Sequence, residues 1–204
     1  MTVQPTVIFS ISLRVWRRYK NIKVYFNSNN LGVVKNYEKA LNLATGDVIF
    51  LCDQDDVWND DKVEKVLASF NKDNGLHAIV HDAQIIDQYG RGAGYNFFDK
   101  RPFSSSFIKN FSKNRFHGCC LAIKREVLKS YLPFPEKIPM HDWWIGLIIC
   151  LKFKVTFINE PLLYYRKHEN NQTGSNNNLM KMIYWRMKLL VGIIKFRYSA
   201  QKLL

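Results

Sequence analysis

The chain has 204 residues, 47% of them hydrophobic, with 10 Gly and 6 Pro. That is enough apolar material for a buried core, and it excludes a disordered, collagen-like or linker-dominated chain. The 30 Lys and Arg outnumber 17 Asp and Glu, a formal charge of +13 that points to an anionic partner: phosphate, nucleic acid or a membrane surface.

Thr6–Val15 is partly apolar but lacks the basic start and the cleavage site of a secretory signal, so none is expected. Lys23–Asn27 (KVYFN) predicts a first strand, and Asn29-Asn30-Leu31-Gly32 a turn. Apolar residues at 33, 34, 37, 40, 41 and 44 predict a helix over Val33–Ala44, which Thr45-Gly46 stops. Asp47–Cys52 (DVIFLC) has the unbroken apolar character of a strand buried on both faces. Asp60–Phe70 repeats as a helix with Val63, Val66, Leu67 and Phe70 on one face, and Leu76–Val80 predicts another strand. This alternation predicts an α/β sheet with right-handed crossovers. Gly90–Ser106 reads as a long loop, Cys119–Ile123 as a strand and Arg125–Tyr131 as a short helix stopped by Pro133. A helix over His141–Leu151, strands over Lys154–Ile158 and Leu162–Arg166, a polar loop at Asn170–Asn178 and a long helix over Leu179–Leu204 complete the pattern.

The charge is uneven along these elements. Residues 1–102 carry 13 basic and 12 acidic side chains, residues 103–204 carry 17 and 5. The last helix has Lys181, Lys188, Lys195 and Lys202 at intervals of seven, one stripe on a helix. Met182, Ile183, Trp185, Leu189, Leu190, Ile193, Ile194 and Phe196 cover a wide surface opposite it. Two readings stay open: a helix lying on an anionic membrane, or one packed on the domain or on another copy. No run of about 18 apolar residues suggests a bilayer span. The four cysteines make no CxxC pair and read as reduced thiols of a cytosolic protein, with Cys52 and Cys150 in the core.

The sharpest feature is Asp53-Gln54-Asp55-Asp56, directly after an apolar strand. Three carboxylates in four residues repel one another unless solvated or bound to a cation. Mg²⁺ and Mn²⁺ take carboxylate oxygens, usually with substrate phosphates completing the shell. In open α/β sheets the ligand lies beyond the carboxyl ends of the strands. The bland reading is an acidic turn before the next helix, with Trp58 beside it either walling a site or packing in the core. His141-Asp142-Trp143-Trp144 sets a carboxylate among aromatic rings, where low polarity raises its pKa and suits a general base. Asp142 as a helix start, with both tryptophans in the core, fits as well. His81-Asp82 after a strand reads equally as a ligand contact or a plain turn.

The run NNLGVVKNYEKALNLATGDVIFLCDQDDVWNDDK over Asn29–Lys62 resembles the family 2 glycosyltransferases of the GT-A fold, most of all their bacterial rhamnosyltransferase-like branch. Further blocks follow in the family's order: His81-Asp82-Ala83 with Asp87 and Gly90, Gly118-Cys119-Cys120, His141-Asp142-Trp143-Trp144, and Tyr165–Gly174. The resemblance covers about residues 22–175 and implies a Rossmann-like mixed sheet flanked by helices. It implies transfer of a sugar from a nucleotide-diphosphate donor to a glycan or lipid-linked glycan acceptor, with inversion and with Mg²⁺ or Mn²⁺. On the motif match Asp55 is the metal ligand, with His168 near metal or diphosphate. Asp53 lies by the donor ribose and Asp56 supports the loop. Arg166 and Lys167 balance phosphate charge, and Asp142 is the base. Gly118 leaves room for the acceptor, on which Trp143 and Trp144 stack. Lipid-linked acceptors favour the membrane reading of the last helix, at the inner face of the plasma membrane.

Residues 1–20 do not resemble the family's opening strand and its acidic turn. The expectation is a chain lacking the first strands of the nucleotide-binding half, divided into an atypical segment 1–21, a partial GT-A domain 22–175 and a basic amphipathic helix 176–204. A catalytically inactive remnant is then one alternative, and a basic nucleic-acid-binding module another. The second is disfavoured by the lack of any nucleic-acid-binding motif and by the acidic loop, so no nucleic acid is expected as partner.

Overall fold

The computed structural model describes residues 22–167 and 179–201, with side chains to Phe196 in the last helix. The chain divides into two compact units, Met1–Ala44 and Thr45–Leu204. The expected limits at 21/22 and 175/176 fall at the edge of, or within, segments outside the described residues.

In the first unit, α1 (Gly32–Leu43) follows the predicted turn. Gly32 takes φ +69°, a conformation glycine adopts without a Cβ penalty, and its N–H donates to Asn30 Oδ1 at 2.8 Å. The expected strand at Lys23–Asn27 shrinks to one bridging residue, Tyr25. Side chains of α1 hold that segment instead: Lys39 Nζ donates to Asn27 Oδ1 at 2.7 Å, and Asn27 Nδ2 to Asn36 Oδ1 at 2.8 Å.

The second unit is built on six strands: β1 (Val48–Phe50), β2 (Val57–Trp58), β3 (Ala78–Ile86), β4 (Gly92–Asn96), β5 (Leu121–Lys124) and β6 (Val155–Arg166). They run in the order β1-β5-β3-β6-β2, with β4 paired to β3. Only β3 and β6 are parallel; the other pairs are antiparallel, so the sheet is mixed. β1 is half-buried rather than closed on both faces, because among the described strands it ends the order and pairs with β5 alone. The supposed loop at 90–106 contains β4 and a short helix, α3 (Phe97–Lys100). The two strands expected at Lys154–Ile158 and Leu162–Arg166 are one, β6, which runs through Pro161. Its register against β3 jumps from His81↔Ile158 to Asp82↔Pro161, so Asn159 and Glu160 bulge out and the ladder resumes.

Helix α2 (Lys62–Lys72) packs Val66 and Phe70 on the sheet with Leu76, Ile79, Ala122 and Leu162. Val63 and Leu67, placed on that face by the apolar spacing, are exposed. The buried line is Lys62, Val66 and Phe70, every fourth residue. Helix α4 (Phe107–Ser112) packs beside α5 (His141–Lys152). Trp144, Ile145, Leu147, Ile148 and Ile149 of α5 are fully buried, each contributing roughly 1.5–3 kcal/mol of transfer free energy. Gly146 is required there, because a Cβ would lie 2.3 Å from the Phe116 ring. Helix α6 (Leu179–Gln201) closes the unit: Leu189 and Ile193 are buried, Gly192 lies against Trp144 and Pro135, and Phe196 meets the Trp144 ring. One apolar side of the helix is therefore packed on the unit, and another is exposed. No helix among the described residues is long and apolar enough to cross a membrane.

Candidate active site

Strand pairing assembles the site. β1 runs antiparallel to β5, from Val48↔Lys124 to Phe50↔Ala122, and Leu51 N–H continues the ladder to Leu121 O at 3.2 Å. The residues leaving β1 therefore pass those entering β5. Asp53 and Asp56 of the acidic loop thus gather with the buried thiol of Cys119, ligand atoms all within 4.8 Å. Asp55 is half-buried in the same loop, outside that group.

Arg166, at the end of β6, fastens the loop. Its backbone N–H donates to Asp56 Oδ1 at 3.1 Å and its Nε to Asp55 O at 3.0 Å. Its Nη1 reaches Gln88 O at 3.1 Å and Asp87 O at 3.4 Å. The expected phosphate-facing guanidinium is thus engaged by main-chain carbonyls of two turns, and it sets loop position. Lys167 is exposed, with its N–H bonded to Ile86 O. His168 lies outside the described residues. Burial, with Asp53 and Asp55 adding repulsion, pushes the Asp56 carboxyl up to about 6.

Lys62 was passed over in the sequence because it occupies an apolar position of α2. It is 1% exposed, donates to Cys119 O at 3.0 Å and sits 3.9 Å over the Trp58 ring. Burial lowers its pKa, while the neighbouring Cys and Asp56 oppose the loss of charge. A buried cation thus stands against the acidic loop and holds the turn at Gly118–Cys120. Trp58 packs on Phe50 at 5.7 Å between centroids and beneath Lys62, an intermediate position that favours packing over a site wall.

That turn carries the site on to α5. A Cβ on Gly118 would lie 2.8 Å from His141 Nε2 and 3.8 Å from Asp142 Cβ. The space expected for an acceptor at Gly118 is filled by the imidazole. Gly118→Ala is expected to cost about 1–3 kcal/mol in urea unfolding, because the ring it strikes is buried. His141 is held neutral by burial, its pKa pushed down to about 3.

Asp142 stands in the first turn of α5. Its Oδ1 accepts Trp143 N–H at 2.6 Å and Asn114 Nδ2 at 3.2 Å. Burial pushes its pKa up to about 7; the charge of Asp53 adds to this, and bonds from Trp143, Asn114 and Gly118 oppose it. Asp142 thus stands in the first turn of a helix and is also a buried carboxyl with a raised pKa, so the two readings of the sequence do not exclude one another. Trp143 is half-buried and donates Nε1–H to Asn110 O at 2.8 Å. Trp144 is 0% exposed and donates to Tyr131 O at 2.9 Å. Full burial excludes the acceptor stacking expected of Trp144.

Other expectations change as well. His81 and Asp82 are buried inside β3 rather than in a turn after it. Asp82 Oδ1 accepts the N–H of Ala83 at 2.7 Å and of Phe98 at 3.2 Å, which makes it an anchor for α3. His117 stacks on Phe97 with centroids 3.9 Å apart. Cys52 is exposed, and Cys150 only partly buried. Asn114, which steadies Asp142, carries no periodicity or motif that would have marked it.

The Glycosyl transferase family 2 model matches residues 11–132, starting ahead of the motif blocks. The chain is 30% identical over 156 residues to a dTDP-rhamnosyl transferase, RfbG, of Shigella flexneri, covering 71% of this chain and 52% of that protein. It is 31% identical over 164 residues to the minor teichoic acid biosynthesis protein GgaB of Bacillus subtilis, covering 78% and 18%. The chain thus spans about half the length, or less, of these relatives. Among solved structures, S. aureus TarS with UDP-GlcNAc superposes at TM-score 0.62 and 18% identity, over 90% of this chain and 54% of that one. A mannosyltransferase of Pyrobaculum calidifontis with GDP-Man and Mn²⁺ superposes at 0.53 and 14%, over 97% and 52%. The mixed sheet with its flanking helices is that of the GT-A fold.

Proposed function

We propose the reaction below from one premise: the chain belongs to glycosyltransferase family 2, a family of transferases. The protein moves a sugar from a nucleotide-diphosphate donor to a hydroxyl of a glycan or lipid-linked glycan, with inversion at the anomeric carbon. The observation that carries this is the pair of carboxylate centres on either side of the Gly118–Cys120 turn: Asp53 with Asp56, and Asp142 alone, buried, with a pKa of about 7.

Asp142 takes the proton of the acceptor hydroxyl as that oxygen bonds to the anomeric carbon and the bond to the diphosphate breaks. Lys62 and Arg166 keep the acidic loop in place beside it. Asp53 and Asp56 fit a hard divalent cation, because Asp56 Oδ2 is buried without a conventional hydrogen-bond partner and two carboxylates converge there. The Cys119 thiol fits less well, since its contact with the Cys120 thiol, and then burial, raise its pKa and favour the protonated form. Asp55, the ligand on the motif match, and His168 remain members of the same proposed set. A bound Mg²⁺ or Mn²⁺ would supply charge neutralisation of the leaving diphosphate. Exposed Lys167 is the proposed phosphate contact, and half-buried Trp143 the proposed aromatic contact for the acceptor. The relatives' names favour rhamnose as the sugar and a cell-surface polysaccharide as the product; assembly at the inner face of the plasma membrane is part of the same proposal.

Calorimetry with dTDP-rhamnose and Mn²⁺ tests the reading. Micromolar binding that Asp53→Asn with Asp56→Asn weakens at least tenfold is expected. Binding indifferent to both the metal and the substitutions would overturn it, and no donor binding at all would leave the inactive-remnant alternative.

A further inference from the structure

We infer that the outward face of α6 is a docking surface for an anionic lipid bilayer. At about 100° per residue, α6 has two apolar faces rather than one. The inner face is used up in packing: Leu189 and Ile193 are buried, Phe196 meets the Trp144 ring, and Gly192 lies against Trp144 and Pro135. On the opposite side Ile183, Met187, Leu190, Val191 and Ile194 recur at spacings of three and four, each between 46% and 60% exposed. Packing on the protein therefore leaves a second stripe about three turns long in water, a length that calls for an occupant.

Charge identifies that occupant. Lys181, Lys188 and Lys195 form a row along one border of the exposed stripe, with the Lys188 ammonium 5.3 Å over the ring of Tyr184. On the other border the Arg186 guanidinium donates to Ser112 O, next to the exposed Lys113. Leu179–Gln201 contains no Asp or Glu. An apolar strip edged by cations and free of acids matches the boundary between acyl chains and anionic headgroups, and repels a second copy of itself through its lysines. The helix lies in the interface plane, with its inner face still seated on the protein.

The inference deepens the lipid-linked acceptor reading, but it is tested on vesicles that hold no sugar acceptor. Transfer to a soluble acceptor, assayed separately, therefore tells the two apart. The full chain is floated with phosphatidylcholine vesicles, with and without phosphatidylglycerol. It is expected to rise with the anionic vesicles only, and to be released by high salt. Lys181→Gln, Lys188→Gln and Lys195→Gln together should lower binding on the order of a hundredfold, about fivefold for each charge. Leu190→Glu and, separately, Met187→Glu should each lower it at least tenfold with the melting temperature unchanged, since both side chains face solvent. Equal binding to neutral vesicles, or undiminished binding by these variants, overturns the inference. So does a dimer in sedimentation equilibrium that Leu190→Glu splits in the absence of flotation.

Discussion

Replacing Asp142 by Asn is expected to lower kcat for sugar transfer by about 10²–10⁴-fold, with donor binding near the wild-type value. Asn keeps the oxygen that accepts Trp143 N–H and Asn114 Nδ2, so the start of α5 stays in place and only the proton acceptor is lost. With the carboxyl at about 7, wild-type kcat/KM should fall about tenfold per pH unit on the acid side of that value. The same shift has a stability counterpart. Between the ordinary carboxylate pKa of about 4 and the folded value near 7, the native state holds a proton that the unfolded state has lost. Stability contributed by this residue is therefore present at low pH, is lost as pH rises through that window, and levels off above it. The Asn variant should be the more stable protein at pH 8, by on the order of a few kcal/mol, and similar to wild type near pH 4. Thermal melts of both proteins across this range check the sign, and equal melting curves at pH 8 would contradict a buried carboxylate.

Replacing Trp144 by Ala is expected to bring the protein close to unfolding. The side chain is 0% exposed, meets the Phe196 ring edge-on at 6.3 Å between centroids, and donates to Tyr131 O. A Cβ on Gly192 would already lie 3.1 Å from its ring, so α6 is seated directly against it. Truncation removes about 3–5 kcal/mol of packing, and the orphaned carbonyl costs about 1–3 more, against a total stability of about 5–15 kcal/mol for a typical domain. Trp144→Phe should retain most of the packing and lose mainly the hydrogen bond. Urea unfolding gives both values. A wild-type midpoint for the Ala variant would mean that Trp144 is not the seat of α6.

The two substitutions touch adjacent residues of opposite character, and the sequence alone could not separate them. His141-Asp142-Trp143-Trp144 reads as a helix start, as a base among sugar-stacking rings, or as core. The structure divides them: Asp142 stands in the first turn of the helix with its pKa pushed up by burial to about 7, Trp143 is half-buried, and Trp144 is core. A helix turns by about 100° at each residue, so neighbours face different surroundings, and what surrounds them comes from distant parts of the chain. Lys62 is the same case in reverse. Its position in α2 follows the apolar repeat, and nothing local says that the carbonyl of Cys119, 57 residues away in sequence, will receive its ammonium.

Local chemistry located the long helices and the acidic loop, and the ordered motif blocks carried the resemblance to the family. Apolar spacing located α1, α2, α5 and α6 to within a few residues, since a helix repeats over contacts three and four residues apart. The three carboxylates of Asp53-Gln54-Asp55-Asp56 and the ordered motif blocks are visible without any fold. Only the tertiary structure decided which carboxylates meet. The β1–β5 pairing brings Asp53 and Asp56 to Cys119, and Gly118 then carries the site to Asp142. The structure also divided the apolar surface of α6 between core and solvent. Periodicity reports how much of a helix is apolar; which side is covered depends on where Trp144 and Pro135 lie, and that is set by long-range packing.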